Sequence, residues 1–596
     1  AGIYGYLPRE LTVTGEQEID LNGLTVTAAG VGFVVSGEAN HLVIRDGVGT
    51  GSLTGGSGGD YNAIRIMYGG KVDIYGGTYS VGPDANGFGN ATIYVTTGNG
   101  ICNIYGGTFM TEAAYNGFWY VLNVGQTQGA EGYMNVFGGT YVNYNPATGD
   151  DNLGGNFVED GYGVVVSQDE DNTIYTVLPV EGSDVVFDAS NSASLDSLVK
   201  AGAKNIRIGA DMTLDKTIAM TKGDITLDLN GKTVTFDGAG IIDLSNAAQL
   251  TVTGNGKMDN LMTSDIGYLF RLGGTSVLTI ENGTYICGLT AIQLDGYSTA
   301  NVKDGTFSAL ATWHNRYWIL NKIDDARDTT VFNVTGGAFV GYDPSNSQTE
   351  SPYDNFLAEG YVCYEEEGTY YVISEEAAIE KGYVITIGAN VFAKLADAVN
   401  AAPANTETAI GFLVSGTEIE GCGVQFLADR NVVIDFNGNI YNVNNPTVGS
   451  AGTETNGFQL LKGSTVVMKN GTIKVGTSNA KILFQKYNTL TLEDMTLDMT
   501  GTSVQYVISN NCGTTTIKGD TTIIAAAGQA AFDLYYWPTN GYSEGVNVVF
   551  EDFSGIVKGR VEYGSDNSAS VEENWTDKVV LTIGSDCTGT FDVTLY

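Results

Sequence analysis

Short stretches of alternating apolar and polar residues, each closed by a glycine turn, recur along the chain. Val72 and Ile74 lead into the turn of "DIYGGTY" (73–79), and Cys102 and Ile104 into that of "NIYGGTF" (103–109). The figure returns as "NVFGGTY" (135–141) and "NVTGGAF" (333–339), and in weaker form as "TIENGTY" (279–285) and "NVKDGTF" (301–307). Period-two alternation over four or five residues predicts half-buried β-strands, and the glycines predict tight corners between them. The aromatic after each corner opens the next strand.

A larger repeat contains the smaller one. "IDLNGLTVT" (19–27), "LDLNGKTVT" (227–235) and "IDFNGNIYNV" (434–443) open three blocks, followed by "LVIRDG" (42–47), "TVTGNG" (251–256) and "VVMKNG" (466–471). Corners then fall at Gly77, Gly107 and Gly139, at Gly283, Gly305 and Gly337, and, degraded, at Met495, Asp520 and Asp552. The last step is shared: 139 − 107, 337 − 305 and 552 − 520 all equal 32. Hairpins would give paired apolar runs without long-range register, whereas a strand returning at a fixed interval is one coil of a solenoid, buried only against the coils above and below. "NPATGDDNLGGNFVEDGYGVVV" (145–166) matches "DPSNSQTESPYDNFLAEGYVCY" (343–364) as a block ending. "ASLDSLVKAG" (193–202) and "FAKLADAVNAA" (392–402) then carry Leu, Leu and Val at helical spacing, so a short capping helix opens the second and third blocks. The resulting expectation is an all-β chain with modules at 1–179, 180–373 and 374–578 and a strand extension at 579–596.

Composition agrees with strands and turns: 81 glycines but 9 prolines in 596 residues. The net charge of −40 argues against nucleic acid and anionic membranes as partners and suits an extracellular protein at a cell surface. No apolar run reaches the roughly 18 residues of a membrane helix. The small Ala1–Gly2 start reads as the product of leader cleavage, hence export. Six cysteines (Cys102, Cys287, Cys363, Cys422, Cys512, Cys587) have no metal-type spacing and read as buried thiols, with one or two disulfides left open.

These turns and block endings resemble the right-handed parallel β-helix superfamily, the pectate-lyase-like fold, and above all tandem β-helix modules of bacterial surface proteins with "GGTF" turns. The resemblance implies a right-handed parallel β-helix of three tandem modules and an extracellular setting. It implies chemistry only through clusters of carboxylates on adjacent coils, or Ca²⁺-holding aspartates with an Arg or Lys, as in the family's lyases and hydrolases. No such cluster is legible here, because most aspartates sit at turns where they cap their own backbone.

Candidate sites are therefore few, and neither catalytic nor cofactor-binding residues are assigned. Aromatics gather on the late coil of every block, giving Trp119, Tyr120, Trp313, Trp318, Tyr536 and Trp537 as carbohydrate-stacking candidates. "TWHNRYW" (312–318) adds His314 and Arg316 to that set. The acidic loops "NPATGDDN" (145–152) and "NKIDDARD" (321–328) leave room for Ca²⁺, without EF-hand spacing, so metal binding stays undecided. Block one lacks the opening "NIRIGADMT" (205–213) of block two, while "IGSDCT" (583–588) repeats its core. This pairing makes Leu11, Val13, Ile583, Phe591, Val593 and Leu595 candidate assembly strands for head-to-tail polymerisation by strand addition. The first functional expectation is a non-enzymatic extracellular filament or sheath; the alternatives are a carbohydrate-binding adhesin or viral tail fibre or spike, and a polysaccharide lyase or hydrolase.

Overall fold

The structure, a computed structural model, describes residues 4–83, 90–96, 98–125, 132–149, 155–237, 241–263, 267–348, 353–565 and 577–596. The chain divides into two compact units, 1–342 with 348–353, and 343–347 with 354–596.

In the first unit, strands return in register to the same three sheets. Thr25–Ala28 pairs in parallel with Ser52–Gly55, which pairs with Thr78–Val81, and the ladder continues to Thr108–Thr111 and Gly139–Val142. Two further sheets are built the same way from five strands each, one ending in Lys71–Ile74, Ile101–Ile104 and Tyr133–Val136. The inward residues alternate with outward ones, so Ile74, Ile104 and Val136 are fully buried while Asp73, Asn103 and Asn135 face out. A second run of three parallel sheets follows within the same unit, from Asn205–Ile208 to Val331–Val334 on one face. The result is a parallel-sheet solenoid.

The repeated heptad can be read letter by letter in this setting. In "NIYGGTF", Asn103 Nδ2 donates to Asp73 Oδ1 at 2.7 Å, and Asn135 Nδ2 donates to Asn103 Oδ1 at 2.8 Å, forming an amide ladder along the outside. Ile104 fills the core. Tyr105 stacks between Tyr75 and Phe137 on the surface, with ring centroids 4.7 and 5.0 Å apart. Phe109 lies between Tyr79 and Tyr141 in the core at 5.1 and 5.2 Å. The second run repeats the buried stack with Tyr285, Phe307 and Phe339, at 4.9 Å for each step.

The two glycines serve different ends. Gly107 has φ +112°, a conformation that β-carbons oppose, as do Gly77 at +97° and Gly139 at +101°. Gly106 does not need a positive φ; a Cβ there would lie 2.8 Å from the Tyr75 carbonyl oxygen of the coil beside it. Coils spaced about 4.8 Å apart leave no room for it.

Two features depart from the sequence expectation. The block ending "YGVVV…IYTV" folds back as an antiparallel hairpin, Tyr162–Asp169 against Asn172–Pro179, and the second strand pairs antiparallel with Gly139–Val142. Tyr4–Leu7 forms a strand beside Thr25–Ala28, as Met212–Leu214 does beside Thr233–Phe236, so the opening of the first block lacks less than the alignment suggests.

Helix α1, Ser192–Ala201, confirms the helical spacing there: Asn191 and Ser194 form a reciprocal cap, Leu195, Leu198 and Val199 are buried, and Gly202 ends it at φ +83°. The second unit holds α2 (Glu375–Lys381), which follows the hairpin Tyr361–Glu366 and Thr369–Ser374, and the other predicted helix, α3 (Leu395–Ala401). Its coils again climb in parallel register, through Asn431–Asp435, Thr465–Val475, Thr489–Asp498, Gly513–Gly519 and Val546–Phe553. The corner residues there are Asn470, Asp494, Gly519 and Asp552, at φ 47 to 62°, and not Met495 and Asp520. Met495 is fully buried instead. The last step becomes 33 residues between Gly519 and Asp552, the same interval that separates Ile517 from its register partner Phe550, and a register shift beyond Ile517 sets Gly519 opposite Phe553.

Phe109→Ala should remove the middle ring of a buried stack and lower unfolding stability by about 3–5 kcal/mol. Tyr105→Ala in the surface stack should cost less than about 1.5 kcal/mol. Urea unfolding followed by circular dichroism compares the two, and equal losses would contradict the assignment of the two stacks.

Candidate functional site

The aromatic candidates of the first unit sit on two tight hairpins. Tyr115 bridges Phe118 around Asn116 (φ 49°) and Gly117 (φ 86°), and Trp313 bridges Arg316 around His314 (φ 51°) and Asn315 (φ 61°). Positive φ at both central residues fits a type I′ turn, which Asn-Gly favours and His-Asn adopts at more cost. In the first hairpin Trp119 packs against the core, and Tyr120 tilts against Tyr115 and Phe118 at 6.5 and 6.2 Å. In the second, Trp318 Nε1 donates to the Trp313 carbonyl at 3.0 Å, and the Trp313 ring meets the His314 ring edge-on at 5.0 Å. Arg316 donates to the Gln348 carbonyl at 2.6 Å and lies 5.9 Å from the Tyr353 ring centre. In the second unit Trp537 contacts Tyr535, Tyr487 and Tyr542 at 6.3 to 6.5 Å, with Tyr536 half-buried beside it. Of the six candidates only Trp313, at 51%, is exposed. They form local clusters at coil corners, those of the first unit built from the rings of their own hairpin and that of Trp537 drawing in Tyr487 from an earlier coil.

The assembly candidates all occupy inward positions of their coils. Leu11 and Val13 stand in register with the buried Phe33 and Val35, and Ile583 with Phe550. Phe591, Val593 and Leu595 stand in register with Val557, Gly559 and Val561. Among the described residues these strands have a ladder partner on one side only, so Leu11 is 44%, Ile583 50% and Leu595 66% exposed despite facing inward.

One row of side chains escaped the sequence reading. Along one parallel ladder of the second unit, Gln425, Gln459, Gln485, Ser509, Asp533 and Glu562 occupy one outward position on six successive coils. Gln425 Nε2 donates to Gln459 Oε1 at 2.6 Å, Gln459 Nε2 to Gln485 Oε1 at 3.1 Å, and Ser509 Oγ to Asp533 Oδ2 at 2.9 Å. Burial pushes the Asp533 carboxyl up to about 6; the Ser509 hydroxyl opposes the shift and the Glu562 charge adds to it. Glu562 is paired with Arg560 at 2.8 Å. A carboxyl that keeps its proton to about pH 6 beside a salt-bridged carboxylate is a donor–acceptor pair of the kind used in general acid–base chemistry. Aligning "VQF", "FQL", "FQK", "ISN", "FDL" and "VEY" coil by coil exposes the row, but the third block is where the corner motif is weakest.

Among the described residues no group of three or more His, Cys, Asp or Glu side chains converges as a metal site. Asp150 and Asp151 of the first acidic loop lie outside those residues, and Asp324–Ala326 of the second is a single 3₁₀ turn. All six cysteines are free, four of them buried. No protein-family model, curated protein or solved structure matches the chain.

Because Asp533 binds its proton more tightly when folded, its contribution is complete below pH 3.8 and is lost as pH rises through about 6. Asp533→Asn should remove that fall and leave the protein about 2–3 kcal/mol more stable above pH 6. Urea midpoints at pH 4 and pH 7 measure it, and an unchanged pH slope would refute it.

Proposed function

We propose that the protein is a secreted structural protein, a right-handed parallel β-helix of three tandem pectate-lyase-like modules. Its copies join head to tail by strand addition into an extracellular filament or sheath. The preference of parallel connections for right-handed crossing supports the handedness. The observation that carries the assembly is an apolar inward face that no further coil covers among the described residues. Val579, Phe591 and Val593 pack partly against the core, while Leu581 is 38% and Ile583 50% exposed. A row of this kind, with a ladder partner on one side only among the described residues, pairs readily with another strand. The strands of another copy proposed to meet it are Leu11–Val13 and Glu16–Asp20, which also have one free edge among the described residues. A contact between two different surfaces does not close on itself, so it propagates into a fibre.

A second reading, carbohydrate binding by an adhesin, is favoured by the exposed Trp313 beside His314 and Arg316. The hydrolase reading rests on Asp533 and Glu562 alone.

Negative-stain images of the purified chain should show fibres, and a variant lacking residues 579–596 should sediment as a monomer. Leu581→Lys with Ile583→Lys should do the same at full length; fibres that persist in both variants sink the proposal. On a glycan array the chain should bind no sugar. Binding abolished by Trp313→Ala would replace filament formation with the adhesin reading, and release of reducing ends abolished by Asp533→Asn would replace both.

A further inference from the structure

Inside the second unit, one inward ladder changes character. Leu460, Lys486, Asn510 and Leu534 occupy successive rungs, so a lysine and an asparagine stand where the coils on either side place leucines. Lys486 and Asn510 are both fully buried, and Lys486 Nζ has no hydrogen-bond partner. An ammonium without a partner is costly in such a place, so the group sheds its proton. Burial holds the Lys486 amine down at about 7, against an opposing effect of Cys512. The Cys512 thiol in turn donates to Glu544 Oε2 at 3.3 Å, and Glu544 pairs with Lys462 at 2.7 Å on the outer side. At pH 7 a large share of the Lys486 amine is thus neutral and nucleophilic.

Its register partner is a prepared electrophile. Thr515 Oγ1 donates to Asn510 Oδ1 at 2.6 Å, which draws electron density from Cγ and supports negative charge on the oxygen. The Asn510 amide nitrogen is held only by a long bond of 3.3 Å to the Ile508 carbonyl. Asn488, the other carboxamide near the corner, has an unpartnered Oδ1, and its nitrogen is tied to Ser464 at 2.9 Å. Its carbonyl lacks the polarising donor that Asn510 has.

We propose that Lys486 and Asn510 join in an intramolecular isopeptide bond that links neighbouring coils. Lys486 Nζ attacks Asn510 Cγ, the new C–N bond forms, and the Cγ–Nδ2 bond breaks. One Nζ proton passes to the departing nitrogen, which leaves as ammonia, so lysine and carboxamide become a secondary amide and NH₃ with no oxidant or cofactor. Holding both groups on adjacent rungs replaces a bimolecular encounter with an intramolecular one, a gain that reaches effective molarities of about 10⁵–10⁸ M in well-oriented systems. The product also removes the unpaired buried amine.

The intact mass of the purified full-length chain should be lower than the sequence mass by one ammonia, and protease digestion should yield a branched peptide joining the Lys486 and Asn510 segments. Lys486→Met should restore the full sequence mass, and Asn510→Asp should lose water in place of ammonia. In freshly refolded protein the bond should form about tenfold more slowly for each pH unit below 7, as the neutral amine is depleted. A native chain at full sequence mass would overturn the proposal and leave a buried water bridging Lys486 and Asn488 as the explanation. A branch from Lys486 to Asn488 would overturn it as well. Because the mass of the native chain is measured directly, the test stands even where a variant fails to fold.

Discussion

Every coil must sit on its neighbour in parallel register at the spacing of backbone hydrogen bonds, about 4.8 Å. Once that is imposed, equivalent residues of successive coils become contacts, and a side chain is chosen for how it packs against its own kind. Flat rings satisfy the rule by stacking, as in Tyr79, Phe109 and Tyr141, and amides satisfy it by passing one hydrogen bond along, as from Asn135 to Asn103 and on to the Asp73 carboxylate. The corners obey it too, because Gly106 is excluded from carrying a β-carbon by the next coil and not by its own backbone.

The rule explains what was legible in the sequence. Where identical residues stack, the coil period is written out as repeated letters, and the heptads of the first two blocks revealed strands, corners and inward residues directly. In the third block the corner needs only a residue that tolerates positive φ, so Asn470, Asp494, Gly519 and Asp552 serve equally and the letters no longer repeat. The one-residue error at Met495 and Asp520 follows from that freedom. The closing hairpins were missed for the opposite reason: a valine-rich strand such as "YGVVV" reads as a strand of either direction, and only the pairing partner reveals that it runs antiparallel.

Candidate sites were legible in proportion to their chemistry. Aromatics are conspicuous in any sequence, so the residues of the corner clusters were found, but the I′ hairpins that hold those of the first unit depend on φ values at Asn116, Gly117, His314 and Asn315. The row ending in Asp533 and Glu562 is polar but chemically mixed, and its members lie 24 to 34 residues apart, so only the register unites them. Lys486 carried no signal at all, since a lysine in a strand reads as outward until the alternation with Phe484 and Gln485 is placed on the coil.

The hairpin Tyr162–Asp169 with Asn172–Pro179 has a consequence for how such a chain grows in evolution. An antiparallel strand laid on a parallel ladder stops the coil repeat, and α1 then starts after it with its own cap. Insertion or loss of one coil inside a run shifts every rung beyond it, whereas a stretch bounded by such hairpins is a self-contained cassette. Gene duplication can copy the cassette whole, so length changes in units of modules while the register inside each is inherited intact.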